Sequence, residues 1–211
     1  ESLFMTPTRI IIFAKVPLPG FVKTRLIPAL GAQGAADLAL RMLDSTLMAA
    51  CDADIGTVEL CVSPAIEDSC WHDISLPSRV LTSSQGVGDL GQRLARTAKR
   101  ALQNNEALLL IGTDCVEMSP ALLQAAATCL TNHDALIHPT TDGGYAVLGL
   151  RQYDPSLFSD IPWSSNSVAS QTIQRIQHLG WHLFCGATLH DIDVPADLAH
   201  LPPHWALGSD V

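Results

Sequence analysis

Short apolar runs alternate with amphipathic segments along most of the chain. Runs rich in Ile, Leu and Val are typical of strands buried in a sheet, and they occur at residues 9–13, 57–62, 79–81, 107–111, 135–138, 145–150 and 181–184. Between them, helical patterns cover residues 31–50, 86–104, 120–130 and 167–179, with a short helix or turn at 64–73. This repeated alternation predicts an α/β fold with a mostly parallel sheet and helices on both faces.

The composition fits one such domain. The chain has 211 residues, 47% of them hydrophobic, which is enough for one sizeable core. We expect a single domain over residues 5–205 and regard residues 1–4 as an expression remnant or an upstream extension. A net charge of −9 and a pI near 5.1 argue against nucleic acid or an anionic membrane as partner.

The spacing of the six cysteines and the hydropathy of the sequence predict the cellular compartment of the protein. No C-x-x-C pair, no signal peptide and no apolar run long enough to span a bilayer occurs in the sequence. We therefore expect reduced thiols and a cytoplasmic protein.

A basic loop, defined here as residues 14–26 (AKVPLPGFVKTRL), follows the first predicted strand. Its cations are Lys15, Lys23 and Arg25, and Gly20 lies between them. Ligands of open α/β sheets bind at the carboxyl ends of the strands, where this loop must lie. The loop matches neither G-x-x-x-x-G-K-[ST] nor G-x-G-x-x-G. Three cations at this edge predict a site for a ligand with several phosphate oxygens, and a solvated basic loop is the alternative.

Two acidic segments are candidates for holding a metal ion. Asp114 follows the all-apolar run at 107–111, so its carboxylate is expected at the same edge as the basic loop. A carboxylate facing phosphates is a common way to hold Mg²⁺ or Mn²⁺. Asp191 and Asp193 precede Pro195, and either one is a candidate second metal contact. In both segments the alternative is an aspartate that caps a turn or a helix.

Three further features are candidates for contacts with the ligand or the acceptor. Asp142-Gly143-Gly144-Tyr145 precedes a predicted strand, and its glycines permit close approach of a ligand, although the same residues suit a simple hairpin turn. Trp163 begins a polar loop and is suited to stacking on a sugar or acceptor group. Arg93 is available for a base or phosphate contact, and a surface arginine is the alternative.

The combination of these segments is more specific than any one of them. In order they are the basic loop, GTDC at 112–115, DGGY at 142–145, WSS at 163–165 and DIDVPADL at 191–198. With them, the chain resembles the nucleotide-diphospho-sugar transferase superfamily of the GT-A fold. It is most similar to a group of small bacterial glycosyltransferase-like proteins, some linked to arsenosugar biosynthesis. It is also distantly similar to nucleotidyltransferases that make molybdopterin dinucleotides or the deazaflavin cofactor.

The resemblance extends over residues 9–201 and implies a single GT-A-like, Rossmann-like three-layer sandwich with a mostly parallel mixed sheet. It implies that Lys15, Lys23 and Arg25 lie near the nucleotide diphosphate, with Asp114 as the metal-binding acid and Asp193 near the metal. It also implies that residues 142–145 border the acceptor. Two departures bear on the metal: Val116 stands where a proline usually follows T-D-C, and the D-x-D pair of many GT-A enzymes is missing.

Three functions remain open from the sequence. The first is an enzyme that transfers a sugar from a nucleotide-diphosphate donor to a small acceptor, assisted by Mg²⁺ or Mn²⁺, with Asp142 as general base. Its nucleotide site would comprise Lys15, Gly20, Lys23, Arg25, Arg93 and Asp114, its metal site Asp114 and Asp193, and its acceptor side Gly143, Gly144, Tyr145 and Trp163. The second is a nucleotidyltransferase that joins an NTP to a phosphorylated acceptor and releases pyrophosphate. The third is a non-catalytic nucleotide-binding module.

Overall fold

A central sheet carries helices on both of its faces, as the sequence predicts. A computed structural model describes residues 7–205. Within that range the strands are β1 (Thr8–Lys15), β2 (Val58–Ser63), β3 (Leu81–Ser84), β4 (Ala107–Ile111), β5 (Ala135–Pro139), β6 (Tyr145–Leu150) and β7 (Leu183–Cys185). The α-helices are α1 (Ile27–Ala53), α2 (Leu90–Ala101), α3 (Pro120–Cys129) and α4 (Val168–His178). No helix in this range is long and apolar enough to cross a membrane.

The strand order is β3-β2-β1-β4-β6-β5-β7. Strand β6 pairs antiparallel with β4 and with β5, whereas the other neighbouring strands pair parallel. The sheet is therefore mixed and mostly parallel, which confirms the predicted fold class.

Two hydrophobic layers cover the faces of the sheet. Ile10 and Ile12 of β1 pack in one layer with residues of α1 and α3, such as Leu47 and Leu123. Ile11 lies in the other layer, with residues of α2 and α4. Alternate residues of one strand are thus buried on opposite faces, which explains why the central strands are apolar runs without alternation.

Some element boundaries differ from the predicted ones, at the edge of the sheet and at the start of α1. Strand β3 lies at the edge of the sheet over residues 81–84 rather than 79–81, and most of its side chains are exposed. Helix α1 begins at Ile27, four residues before the predicted start. Pro28 lies in its first turn, where a missing N–H costs no helical hydrogen bond, and Gly31 forms a kink with φ 72°. Residues 64–73 contain a short 3₁₀-helix at Ser69–Trp71.

A buried carboxylate connects β1, β2, β3 and α2. Glu59 on β2 is 2% exposed and binds Arg9, Arg100 and Ser83. Burial raises the pKa of this carboxyl, but the hydrogen bonds from Arg100, Ser83 and Arg9 outweigh burial, so the pKa lies below its ordinary value. The pairing satisfies a charge that would otherwise be costly inside the sheet.

A small third cluster fixes the segments that carry the candidate site. Leu26, at the end of the basic loop, and Ile192, between Asp191 and Asp193, are both fully buried against Leu38 and Met42 of α1. The basic loop and the 191–193 segment are therefore held on the same side of the molecule.

Candidate active site

Four segments meet at one edge of the sheet. The 112–115 segment follows β4, and the main-chain oxygen of Asp114 accepts a hydrogen bond from the amide of Ile192 at 2.9 Å. Cys115 and Asp191 form a further backbone bridge. Residues 142–145 reach this edge because β6 is antiparallel, so its amino end lies beside the carboxyl ends of β1 and β4. The predicted acids are thereby brought next to the basic loop.

Lys23 is the most firmly held cation of the basic loop. Its side chain is only 6% exposed, and Nζ donates to Asp114 Oδ1 at 2.8 Å and to the main-chain oxygen of Ile192 at 2.6 Å. The backbone of Lys23 is left-handed, with φ 47°. One lysine thus joins the candidate metal-binding acid to the 191–193 segment.

Arg25 makes the second pair across the same gap. Its Nη1 lies 3.1 Å from Asp193 Oδ2, and both side chains are largely exposed. Both predicted metal carboxylates are therefore paired with a predicted phosphate-binding cation. Lys15 is exposed at the end of β1, and Gly20 lies in the turn of the basic loop; neither lines the cavities described below.

Arg93 lies away from these pairs. Its Nε donates to the main-chain oxygen of Gly88 at 2.7 Å, and Nη1 lies 3.4 Å from Gln85 Oε1. Arg96 donates to the main-chain oxygens of Gln85 and Val87 at 2.6 and 2.8 Å. The two arginines hold the loop between β3 and α2, and a nucleotide contact of Arg93 stays a prediction.

Asp142 is held in a defined orientation. Its Oδ1 accepts from Thr140 Oγ1 at 2.6 Å and from the amide of Gly144 at 3.0 Å. Burial raises the pKa of the Asp142 carboxyl, but these hydrogen bonds outweigh burial and the pKa lies below its ordinary value. Asp142 is therefore ionised at neutral pH.

Asp191, a candidate metal contact from the sequence, lies instead beside Asp142 in the lining of the smaller cavity. It accepts a hydrogen bond from Cys115 Sγ at 3.1 Å. Burial, and then the charges of Asp142 and Asp114, raise its pKa to about 7, although the bond from Cys115 acts in the opposite direction. Burial and the Asp191 charge also raise the pKa of the Cys115 thiol, so the thiol stays protonated and donates. The only sequence signal for this pairing was the density of acids at 191–197.

Two adjoining cavities lie over these carboxyls. The larger has a volume of about 440 Å³ and the smaller about 180 Å³. Asp114, Asp142 and Asp191 line the smaller cavity. Their shared wall consists of Gly112, Asp142, Gly144, Tyr145 and Ala146. Arg25, Asp193 and Trp163 line the larger cavity, so the second ion pair and the predicted stacking residue face the same space.

Gly143 serves packing rather than close approach of a ligand. Its φ is +93°, and a Cβ there would lie 2.1 Å from the main-chain oxygen of Asn166. The glycine lets the loop at 163–167 pack directly on the 142–145 turn. Gly143 lines neither cavity, whereas Gly144, Tyr145 and Trp163 do.

A metal ion would have few protein ligands here. Within residues 7–205, no group of three or more His, Cys, Asp or Glu side chains could hold a metal ion by itself. Asp114 and Asp193 offer hard oxygen donors with exposed fractions of 60% and 46%. They fit Mg²⁺ or Mn²⁺ bound through one or two carboxylates, with phosphate oxygens and water as the remaining ligands.

Solved structures share this fold. A candidate nucleotide-diphospho-sugar transferase from Desulfovibrio desulfuricans G20 superposes with a TM-score of 0.86 at 27% identity, covering 97% of this chain and 90% of that one. This similarity is consistent with the superfamily that the motifs indicate. At lower identity, 4-diphosphocytidyl-2C-methyl-D-erythritol synthase from Anaerococcus prevotii DSM 20548 gives a TM-score of 0.55 at 12%, covering 92% and 96%. A nucleotidyl transferase from Methanothermobacter gives 0.57 at 15%, covering 93% and 96%.

Comparison of the sequence alone finds fewer relatives than comparison of the structure. No curated protein matches the chain significantly. Residues 46–165, more than half of the chain, match one family, so the protein belongs to the family described as uncharacterized protein conserved in bacteria, DUF2064.

Proposed function

We propose that this protein is an enzyme that transfers a sugar from a nucleotide-diphosphate donor to a small acceptor. The observation that carries the proposal is the double ion pair, Lys23–Asp114 and Arg25–Asp193, at the edge of two adjoining cavities. Cations paired directly with carboxylates suit a ligand that brings phosphate oxygens for the cations and a divalent metal for the acids.

Each charged group then has a role. Lys23 is oriented by the Ile192 oxygen and would donate to a diphosphate oxygen, with Arg25 as a second donor. Both would stabilise the negative charge that develops on the departing diphosphate. Asp114 and Asp193 would hold the metal, which when bound supplies further neutralisation of that charge.

Asp142 is the proposed general base for the acceptor hydroxyl. Its Oδ1 is occupied by Thr140 and Gly144, which fixes the plane of the carboxylate at the wall shared by both cavities. A low pKa makes it a weak base, and the neighbouring Asp191 carboxyl gives the accepted proton a second group to reside on.

A nucleotidyltransferase is the second candidate. Its support is the fold shared with solved nucleotidyltransferases, together with a lysine that is rigidly held at the edge where phosphates would bind. In that reaction a phosphorylated acceptor attacks the α-phosphate of an NTP and pyrophosphate leaves.

A ligand panel followed by product analysis separates the candidates. Nucleoside diphosphates, NTPs and nucleotide-diphosphate sugars are screened by thermal shift with and without Mn²⁺, because a ligand of the native state raises the apparent stability. The protein is then incubated with the best sugar donor or NTP. Release of a nucleoside diphosphate supports the sugar transferase, and pyrophosphate release from an NTP supports the alternative. Failure of every nucleotide to bind would reject both.

A further inference from the structure

The two cavities differ in chemistry although they share a wall. Three carboxyls and Thr140 line the smaller cavity, which suits a ligand rich in hydroxyl groups. The larger cavity has an additional apolar wall that the proposed sugar transfer does not by itself explain. This apolar wall consists of Phe13, Leu90, Leu94, Leu110, Trp163 and Val168.

The apolar wall is assembled from separate parts of the chain. Phe13 belongs to β1, Leu90 and Leu94 to α2 and Leu110 to β4. Leu94 and Leu110 are buried members of the core on this face of the sheet, and Phe13 packs against them. Core residues therefore line a space of about 440 Å³ instead of filling it, and this volume is in the usual range for small-molecule sites, about 300–1,000 Å³.

The position of Trp163 is fixed by close packing. A Cβ at Gly91 would lie 2.8 Å from the Trp163 Nε1 atom, so the indole packs against the first turn of α2. The aromatic side of the cavity is thus held in place rather than formed by a mobile side chain. A flat, preformed aromatic wall favours a planar or ring-shaped apolar group.

One polar atom of a residue in the shared wall lacks a partner. The Tyr145 hydroxyl is buried, and within residues 7–205 it makes no hydrogen bond. Tyr145 lines both cavities, next to Asp142. Because this oxygen is closed off from the cavities as well, other atoms of Tyr145, beside Asp142, form its part of the shared wall.

We propose that the acceptor is a small alcohol or phenol with an apolar, ring-sized body; this inference rests on the proposed sugar transfer. The body packs on the apolar wall, and the hydroxyl lies at Asp142 on the wall shared by both cavities. The acceptor oxygen forms a bond to the anomeric carbon of the donor sugar, and the bond from that carbon to the diphosphate oxygen breaks. The proton passes to the Asp142 carboxylate, and the electron pair leaves with the nucleoside diphosphate.

A polyhydroxylated acceptor does not match the apolar wall. Its hydroxyls would lose water against Phe13, Leu94 and Leu110 without gaining hydrogen bonds, and unsatisfied polar groups oppose binding. An apolar ring would instead bury surface favourably at the same place.

The test compares acceptors with one donor. Using the nucleotide-diphosphate sugar that binds in the thermal-shift panel, release of nucleoside diphosphate is measured with benzyl alcohol, 4-hydroxybenzyl alcohol, glycerol and glucose. We expect kcat/KM for the aromatic alcohols to exceed that for glycerol and glucose by at least about tenfold, the scale of one well-placed apolar contact. Equal or better use of glycerol or glucose would overturn the inference.

A matched pair of variants tests whether the apolar wall determines the preference for aromatic acceptors. Leu90 lines the cavity and is 43% exposed, so Leu90→Gln keeps helix propensity and leaves the deep core untouched. It should raise KM for the aromatic acceptor about tenfold, with little change in kcat or in donor affinity. Val87→Gln, at a neighbouring residue that is 84% exposed and lines neither cavity, should change neither constant.

The outcomes distinguish this inference from the proposed function. If Leu90→Gln weakens nucleotide binding but leaves the acceptor KM unchanged, the apolar wall holds the nucleobase and the inference is wrong. If a donor binds and is slowly hydrolysed but aromatic alcohols give no advantage, the sugar transferase stands and only the acceptor class fails. If no nucleotide-diphosphate sugar binds or reacts, both fail together.

Discussion

Replacing Lys23 should weaken nucleotide binding much more than replacing Arg25. The Lys23 side chain is 6% exposed and fixed by two hydrogen bonds, whereas that of Arg25 is 72% exposed and makes one contact with an exposed partner. A charge-assisted hydrogen bond in a buried setting contributes about 1.5–3 kcal/mol, so Lys23→Ala should raise the Kd for a nucleoside diphosphate about 10- to 150-fold. A solvent-screened contact contributes about 0.2–1 kcal/mol, so Arg25→Ala should raise it less than about sixfold.

The two variants should also differ in stability. Lys23→Ala leaves the main-chain oxygen of fully buried Ile192 without its side-chain donor, which should lower the free energy of unfolding by about 1–3 kcal/mol. Arg25→Ala removes only an exposed pair and should stay within about 0.5 kcal/mol of the parent.

Isothermal titration calorimetry measures the Kd of each variant for the best-binding nucleoside diphosphate. Urea unfolding of the same samples measures the free energy of unfolding. Lys99→Ala is the matched control because Lys99 is exposed on α2 and pairs with neither Asp114 nor Asp193. A Kd for folded Lys23→Ala within twofold of the parent would remove Lys23 from the phosphate site, and unchanged affinity in Arg25→Ala as well would remove the basic loop. An equal loss of affinity in Lys99→Ala would attribute the effect to overall charge instead.

Three other residues give independent predictions. Asp114→Asn should keep the fold but abolish any increase in nucleotide affinity on adding Mn²⁺, measured by calorimetry with and without the ion, and an unchanged increase would locate the metal elsewhere. Glu59→Gln should lower the free energy of unfolding by about 3 kcal/mol at neutral pH, because it removes the buried negative charge that pairs with Arg9 and Arg100 and replaces one acceptor oxygen by an amide donor. The folded pKa of Glu59 is lowered, so its stabilisation is complete above the unfolded value near 4.5 and is lost as the pH falls through the lower folded value; urea unfolding across that range should show parent and variant converging, and a constant gap would contradict this account. Gly143→Ala should lower the free energy of unfolding by about 1–3 kcal/mol more than Gly180→Ala, because both glycines have positive φ but only Gly143 faces the Asn166 oxygen, and equal thermal shifts would refute the packing role.

The central strands were predictable because they are buried on both faces. The run at 107–111 is entirely apolar, and β4 occupies those residues between β1 and β6. The edge strand β3 has exposed polar positions at Thr82 and Ser84, so its sequence carries little hydrophobic signal and its pairing with β2 sets its limits. The local pattern identified the central strands, and it misplaced the start of both edge strands, β3 and β7, by two residues.

The candidate site also contains some residues whose positions follow from the sequence pattern and others whose positions do not. Lys23 and Asp114 follow strands whose carboxyl ends meet, so their proximity follows from the predicted parallel topology. Asp142 lies in the connection from the carboxyl end of β5 to the amino end of β6, which is too short for a parallel crossover and forms a hairpin. It reaches the site because β6 runs antiparallel to β4, and periodicity within a single strand carries no information on direction. Reversal of this one strand therefore brings Asp142 beside Asp191, and it places the proposed base at the edge where the basic loop lies.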